Sequence, residues 1–232
     1  MTREEFEEMI RSLAGNKDEY DIRHVSHDSS SVLNGKRMIF LGSSVTFGAA
    51  SLEQSFVEIL AKKCGVIPYK EAVSGTTLVN DRNDGSSYIE RMKTIDPSWK
   101  ADAFICQLST NDATKKKPAG VLSEGSYDIT TIAGAIEYII AYAKETWNCP
   151  VFFYTGTKYD STEYAQMVEL LMKIQRKHNI EVIDLWHTPP MKEVSEEEYK
   201  LYMADPIHPT KAGYLKWWTP EIERQLTAFF TK

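Results

Sequence analysis

The feature that most limits what this chain can fold into is a repeated switch of hydrophobic period. Short continuous apolar runs at 38–41, 67–73, 103–108, 151–154 and 180–185 alternate with stretches at 56–64, 88–95, 132–147 and 164–178, where apolar residues recur at three and four. Continuous runs of this length suit strands buried on both faces, and the three-and-four spacing suits helices with one apolar stripe. Strand and helix in alternation predict a parallel sheet with right-handed crossovers, covered by helices on both faces. The expected fold is therefore a three-layer α/β/α sandwich, flavodoxin-like in winding, with about five parallel strands.

The ends of the chain complete this plan. Thr2 and Glu5 are spaced for a capping box, and Phe6, Met9, Ile10 and Leu13 follow at helical spacing before Gly15. Residues 16–35 are polar and without period, so residues 1–35 read as a helical and irregular extension that packs across one domain spanning 1–232. After Ser195, with Glu198 three residues on, another capped helix is expected, and a final helical segment runs from Thr210, divided by Pro220. No repeat or low-complexity linker marks a second domain.

Composition narrows the class of function. A net charge of −6 guarantees no basic face and so argues against nucleic acid, and no apolar stretch reaches the length of a membrane span. The acidic start lacks the apolar core of an export signal. The three cysteines, Cys64, Cys106 and Cys149, are scattered and set among apolar residues, so they read as free thiols and the expected location is the cytoplasm. His24 and His27 sit in the irregular segment without a further ligand cluster, so no metal is expected.

Chemistry is suggested by motifs at opposite ends of the chain: Gly42-Ser43-Ser44-Val45-Thr46-Phe47-Gly48 after the first apolar run, and Asp205-Pro206-Ile207-His208-Pro209 near the C-terminus. A serine hydroxyl is a weak nucleophile until a base takes its proton, and imidazole oriented by a carboxylate is suited to that task. In an open parallel sheet such groups collect at the carboxyl ends of strands, where Ser44, Gly75 and Asn111 all fall. A P-loop is disfavoured because no Gly-Lys-Ser/Thr follows, and Thr46 stands where a nucleophile elbow has its second glycine.

The set of motifs resembles the SGNH/GDSL hydrolases, from about Lys36 to the end: the Gly42-Ser43-Ser44 block with Gly48, then Gly75 in Val73-Ser74-Gly75-Thr76-Thr77, then Asn111-Asp112, then the late Asp205 to His208. The resemblance implies that Ser44 is the nucleophile, His208 the base and Asp205 its orienting carboxylate. It also implies an oxyanion hole formed by the Ser44 and Gly75 N–H groups and the Asn111 side-chain amide. The implied activity is hydrolysis of small acyl esters through an acyl-enzyme, including acetyl groups on carbohydrates, with no cofactor. No long apolar lid is present, which favours short acyl chains.

This chain departs from the family pattern at Ser43, where the family has aspartate, and at Ser109, where it has glycine. Ser43 is therefore a second candidate nucleophile, although the spacing to Gly42 and Gly48 favours Ser44. Asp184-Leu185-Trp186-His187 repeats the Asp-x-x-His spacing at another strand end and is the internal rival for acid and base. Trp186, His187 and Tyr159 are candidate substrate-binding residues near the cleft rim. The partner expected is a small-molecule ester. The aromatic C-terminal helix around Phe229 and Phe230 offers a homodimer contact. Two alternatives stay open: a thioesterase or lysophospholipase of the same family, and a non-catalytic carbohydrate-binding or interaction module on the same scaffold.

Overall fold

In the computed structural model, which describes residues 2–232, the five apolar runs become strands of one parallel sheet. They are β1 (Arg37–Gly42), β2 (Ile67–Ala72), β3 (Ala103–Gln107), β4 (Val151–Tyr154) and β5 (Glu181–Ile183), in the spatial order β2-β1-β3-β4-β5. Alternation along each strand sends side chains to opposite faces. Ile39 and Leu41 of β1 join Phe104, Cys106 and Phe153 in one apolar layer, whereas Met38 and Phe40 join Ile105, Phe152 and Tyr154 in the other.

Each layer is closed by helices whose apolar stripe faces the sheet. The first is covered by α4 (Tyr88–Met92), α6 (Ile132–Trp147) and α7 (Thr162–His178), and the second by α3 (Phe56–Cys64) and α10 (Thr219–Phe230). Local signals set their ends. Ser55 with Glu58 and Ser87 with Glu90 form capping boxes, and Asn148 and Asn179 end α6 and α7 in the left-handed conformation. This is the expected α/β/α sandwich.

Two sequence expectations change in detail. The run at 67–73 reads as buried on both faces, yet no residue of β2 is fully buried, because the strand order puts it at the sheet edge. Pro68, which has no N–H to give, is tolerated there. The C-terminal segment is not divided at Pro220: α9 (Lys211–Gly213) runs through a wide π turn, Tyr214–Trp218, directly into α10. The Thr219 N–H donates to Tyr214 O, five residues back, and this wider turn takes up the break that the proline forces.

The N-terminal residues form α1 (Arg3–Ser12), capped by Thr2 and Glu5 as expected, followed by three single 3-10 turns between Ala14 and His24. All three cysteines are buried and unpaired. Burial pushes the thiols of Cys64 and Cys149 up to about 11.

Candidate active site

The order β2-β1-β3 creates a crevice beyond the strand ends, and the loops after β1 and β3 flank the switch in winding direction. The loop after β1 is shaped by close packing. A Cβ on Gly42 would meet Thr46 Oγ1 at 1.8 Å, so only glycine fits there. The chain then makes one helical turn, α2 (Ser44–Phe47), stopped by Gly48 at φ 85°. Gln107, buried at the end of β3, holds this turn: its Oε1 accepts from Ser43 N (2.9 Å), Thr46 N (3.2 Å) and Thr46 Oγ1 (2.8 Å).

The opposite wall is the loop after α8 (Glu196–Tyr202), closed by a bridge between Met203 and Pro209 and by the Ala204 N–H donating to His208 O. Within it Asp205 makes a tight turn around its own carboxylate. Oδ1 accepts from Ile207 N (2.8 Å) and His208 N (2.9 Å), and Oδ2 lies 2.8 Å from His208 Nδ1. Burial works to raise the Asp205 carboxyl, but the His208 hydrogen bond and charge and the two backbone N–H groups outweigh it and hold it below the ordinary range. A carboxylate on Nδ1 sets the tautomer in which Nε2 is an acceptor. That nitrogen is 2.8 Å from Ser44 Oγ.

The third wall comes from the loops after β2 and β3. Gly75 has φ 81°, a left-handed conformation suited to glycine, and its carbonyl accepts from Lys115 Nζ at 2.6 Å. Asn111, in α5 (Thr110–Thr114), donates through Nδ2 to Thr76 O (2.9 Å) and Ser43 Oγ (3.2 Å), which ties the Ser43–Ser44, Gly75–Thr76 and Asn111 segments together. Asp112 is fully buried and accepts from Leu78 N (2.8 Å) and Val79 N (3.1 Å); burial is the largest influence on its carboxyl and pushes it above the ordinary range.

Sequence reasoning missed two residues that hold this framework. Arg91, buried in α4, donates to Gly42 O (2.8 Å), Thr76 Oγ1 (2.9 Å) and Glu71 Oε1 (3.0 Å). Its signal is an arginine set between Ile89 and Met92 on an otherwise apolar stripe. The signal for Gln107 is an amide inside a strand otherwise free of polar side chains.

A sequence profile of the GDSL-like lipase/acylhydrolase family matches residues 40–216, from within β1 to just past the histidine loop. The chain belongs to this family. No curated protein matches it. Among solved structures, a Lactobacillus plantarum protein aligns with a TM-score of 0.68 at 20% identity, over 90% of this chain and 98% of its own. A structure described as a GDSL-like lipase from Bacteroides ovatus aligns with a TM-score of 0.62 at 18% identity, over 84% and 98%. A family two carbohydrate esterase from Clostridium thermocellum, in complex with cellohexaose, aligns with a TM-score of 0.56 at 13% identity, over 85% of this chain and 64% of that one. These likenesses show a shared SGNH-type fold.

Against this GDSL framework the remaining candidates can be placed. Asp184 and His187 build the same turn as Asp205 and His208, with His187 Nδ1 2.9 Å from Asp184 Oδ2, but the His187 Nε2 faces Glu169 of α7 at 3.5 Å. Of these two histidines, His208 is the one within hydrogen-bond reach of a serine. Trp186 is 6% exposed and packs against Tyr159 and Tyr164, so it lies in the core rather than on an open rim. Tyr159 lines a small cavity with Val45, Leu108, Thr110 and Ile207, immediate chain neighbours of the Ser44, Asn111 and His208 segments. Ser109 has φ −70°, a conformation open to any residue, so the family's glycine is not needed there. Among the described residues no cluster of three or more His, Cys, Asp or Glu is placed to hold a metal ion, and no helix is long and apolar enough to cross a membrane.

Proposed function

We propose that the protein is a serine esterase that hydrolyses short-chain acyl esters, with acetyl groups on carbohydrates as the preferred class. The observation that carries this reading is the continuous line from Asp205 through His208 to Ser44 Oγ, with 2.8 Å at each step. His208 Nε2 takes the Ser44 proton as Oγ attacks the acyl carbon, then returns it to the leaving alcohol; water repeats the sequence to free the acid. Asp205 stays ionised and supports the imidazolium.

Charge gathers on the former carbonyl oxygen in the transition state, and the Ser44 N–H, Gly75 N–H and Asn111 amide are assigned to receive it. Each such donor is typically worth about 10² to 10³ in rate. Both Nδ2 hydrogens of Asn111 have partners in the free protein, so it joins the oxyanion hole by exchanging its longer bond, to Ser43 Oγ, for the substrate oxygen. A small cavity beside the Ser44 segment, lined by Val45, Thr110, Tyr159 and Ile207, supports a short acyl group. The carbohydrate preference is supported by the esterase neighbour that holds cellohexaose.

The test is hydrolysis of p-nitrophenyl acetate and butyrate, and of an acetylated oligosaccharide, by wild type, Ser44→Ala, Ser43→Ala and His208→Ala, with folding checked by circular dichroism. Turnover of acetate above butyrate, lost with Ser44 and His208 and retained with Ser43, is the expected result. A folded wild type that is inert and takes no fluorophosphonate label at Ser44 would favour the non-catalytic module.

A further inference from the structure

The turns between Ala14 and His24 lie outside the segment matched by the family profile, yet they bury polar side chains between the two catalytic loops. Asn16 is 5% exposed and uses both ends of its amide. Nδ2 donates to Ala50 O (2.9 Å), in the loop that follows the Ser44 turn, and to Ile10 O (2.7 Å). Oδ1 accepts from Lys211 N (2.8 Å), three residues beyond His208. Asp21 makes a second link between the same loops: its Oδ2 accepts from Gln54 Nε2 (2.8 Å) and from Lys211 Nζ (2.7 Å), an ion pair with both side chains 7% exposed. The fit leaves no slack at Gly15, where a Cβ would meet Leu201 O at 2.0 Å and Thr210 Oγ1 at 2.3 Å.

We infer that this N-terminal segment is a clamp that sets the separation of Ser44 and His208, with Asn16 and Asp21 as positioning residues. The inference rests on Ser44 and His208 being the reacting pair. The Ser44 turn is held to the sheet through Gln107, whereas the His208 loop is no regular element and is closed by a two-residue bridge. The Tyr214 hydroxyl donates to Val45 O (2.6 Å) directly across the two, and beside that one bond the position of the His208 loop depends on what lies between them; buried amides and charges with several partners each define it more narrowly than apolar contact does. Displacement of a reacting group by about 1 Å costs up to about 10²-fold in rate.

The experiment compares Asn16→Ala with wild type, Ser44→Ala and Glu137→Gln, the last perturbing a buried carboxylate of α6 that pairs with Lys177 and His178. Nitrogen-15 histidine NMR reads the His208 Nε2 signal, which reports the hydrogen bond from Ser44 without any turnover. Expected for folded Asn16→Ala is a shift of that signal in the same direction as in Ser44→Ala, with kcat on p-nitrophenyl acetate reduced about tenfold and KM little changed. Glu137→Gln should lower the melting temperature and leave both readings at wild type. A wild-type His208 signal in folded Asn16→Ala overturns the clamp, as does an equal loss of kcat in Glu137→Gln. If Asn16→Ala does not fold, Asp21→Asn decides by the same readings, a smaller shift in the same direction supporting the clamp and a wild-type spectrum overturning it. A wild type without esterase activity but with the Asn16-dependent shift would sink the proposed function and leave the clamp standing.

Discussion

Asn111 donates its side-chain amide to the hydroxyl of Ser43 at 3.2 Å, so the serine that replaces the family's aspartate accepts a hydrogen bond beside Ser44, the proposed nucleophile. Ser43 is fully buried, and its N–H is taken by Gln107. The His208 Nε2 is on Ser44 rather than on Ser43. Ser43→Ala should therefore cost one modest hydrogen bond, about 5-fold in kcat, whereas Ser44→Ala should remove at least about 10³-fold. Steady-state kinetics of the two variants, side by side, check this; equal losses would move the nucleophile assignment into doubt.

Asp205→Asn should preserve the fold of its turn, because an amide oxygen can still accept from Ile207 N and His208 N. The new NH₂ would face His208 Nδ1 and favour the tautomer with its proton on Nε2, which cannot accept from Ser44. A loss of about 10²-fold or more in kcat with an unchanged melting curve is expected.

At Gly75 there is space but not conformational freedom: nothing lies within 4 Å of the position a Cβ would take, while φ is 81°. Gly75→Ala should lose about 1–2 kcal/mol of stability from backbone strain alone. Gly75→Asn should recover part of that loss, since asparagine enters the left-handed region more readily. Thermal melts of both variants test the order, and a more stable alanine variant would contradict it.

Gln107→Leu would leave Ser43 N, Thr46 N and Thr46 Oγ1 without their shared acceptor in a buried site. Thr46 Oγ1 keeps Tyr154 Oη at 2.6 Å, so the two backbone donors bear most of the cost. The expected destabilisation is about 2–4 kcal/mol, read from urea unfolding.

Asp21 links stability to pH. Burial works to raise its carboxyl, but hydrogen bonds from Lys211, Gln54 and Arg23 outweigh it and hold the folded value well below the 3.8 of the unfolded chain. A depressed carboxylate contributes stability that is fully present above the unfolded value and lost as pH falls through the folded one. Asp21→Asn should thus melt below wild type at pH 7, with the gap narrowing below about pH 4. A gap that is constant across this range would show that the carboxylate charge contributes nothing.

The layers, the strand order's general type and the family were legible in the residues themselves, because hydrophobic period and short-range capping are local properties. Met38–Leu41 and Ala103–Leu108 mark strands by their apolar runs, and Thr2 with Glu5 or Ser195 with Glu198 mark helix starts by spacing alone. The catalytic candidates were legible because each motif is only a few residues long. What sequence order left open was which Asp-x-x-His reaches a serine: Asp184–His187 and Asp205–His208 make the same turn, and only the packing of the 203–209 loop against the Ser44 turn distinguishes them. The burial of Trp186, the exposure of β2 at the sheet edge and the unbroken helix through Pro220 were decided in the same way, by neighbours distant in the chain. Arg91, Gln107, Asn16 and Asp21 belong to this class too, since a buried polar side chain is set by the partners that satisfy it, and those partners meet only once the sheet has formed.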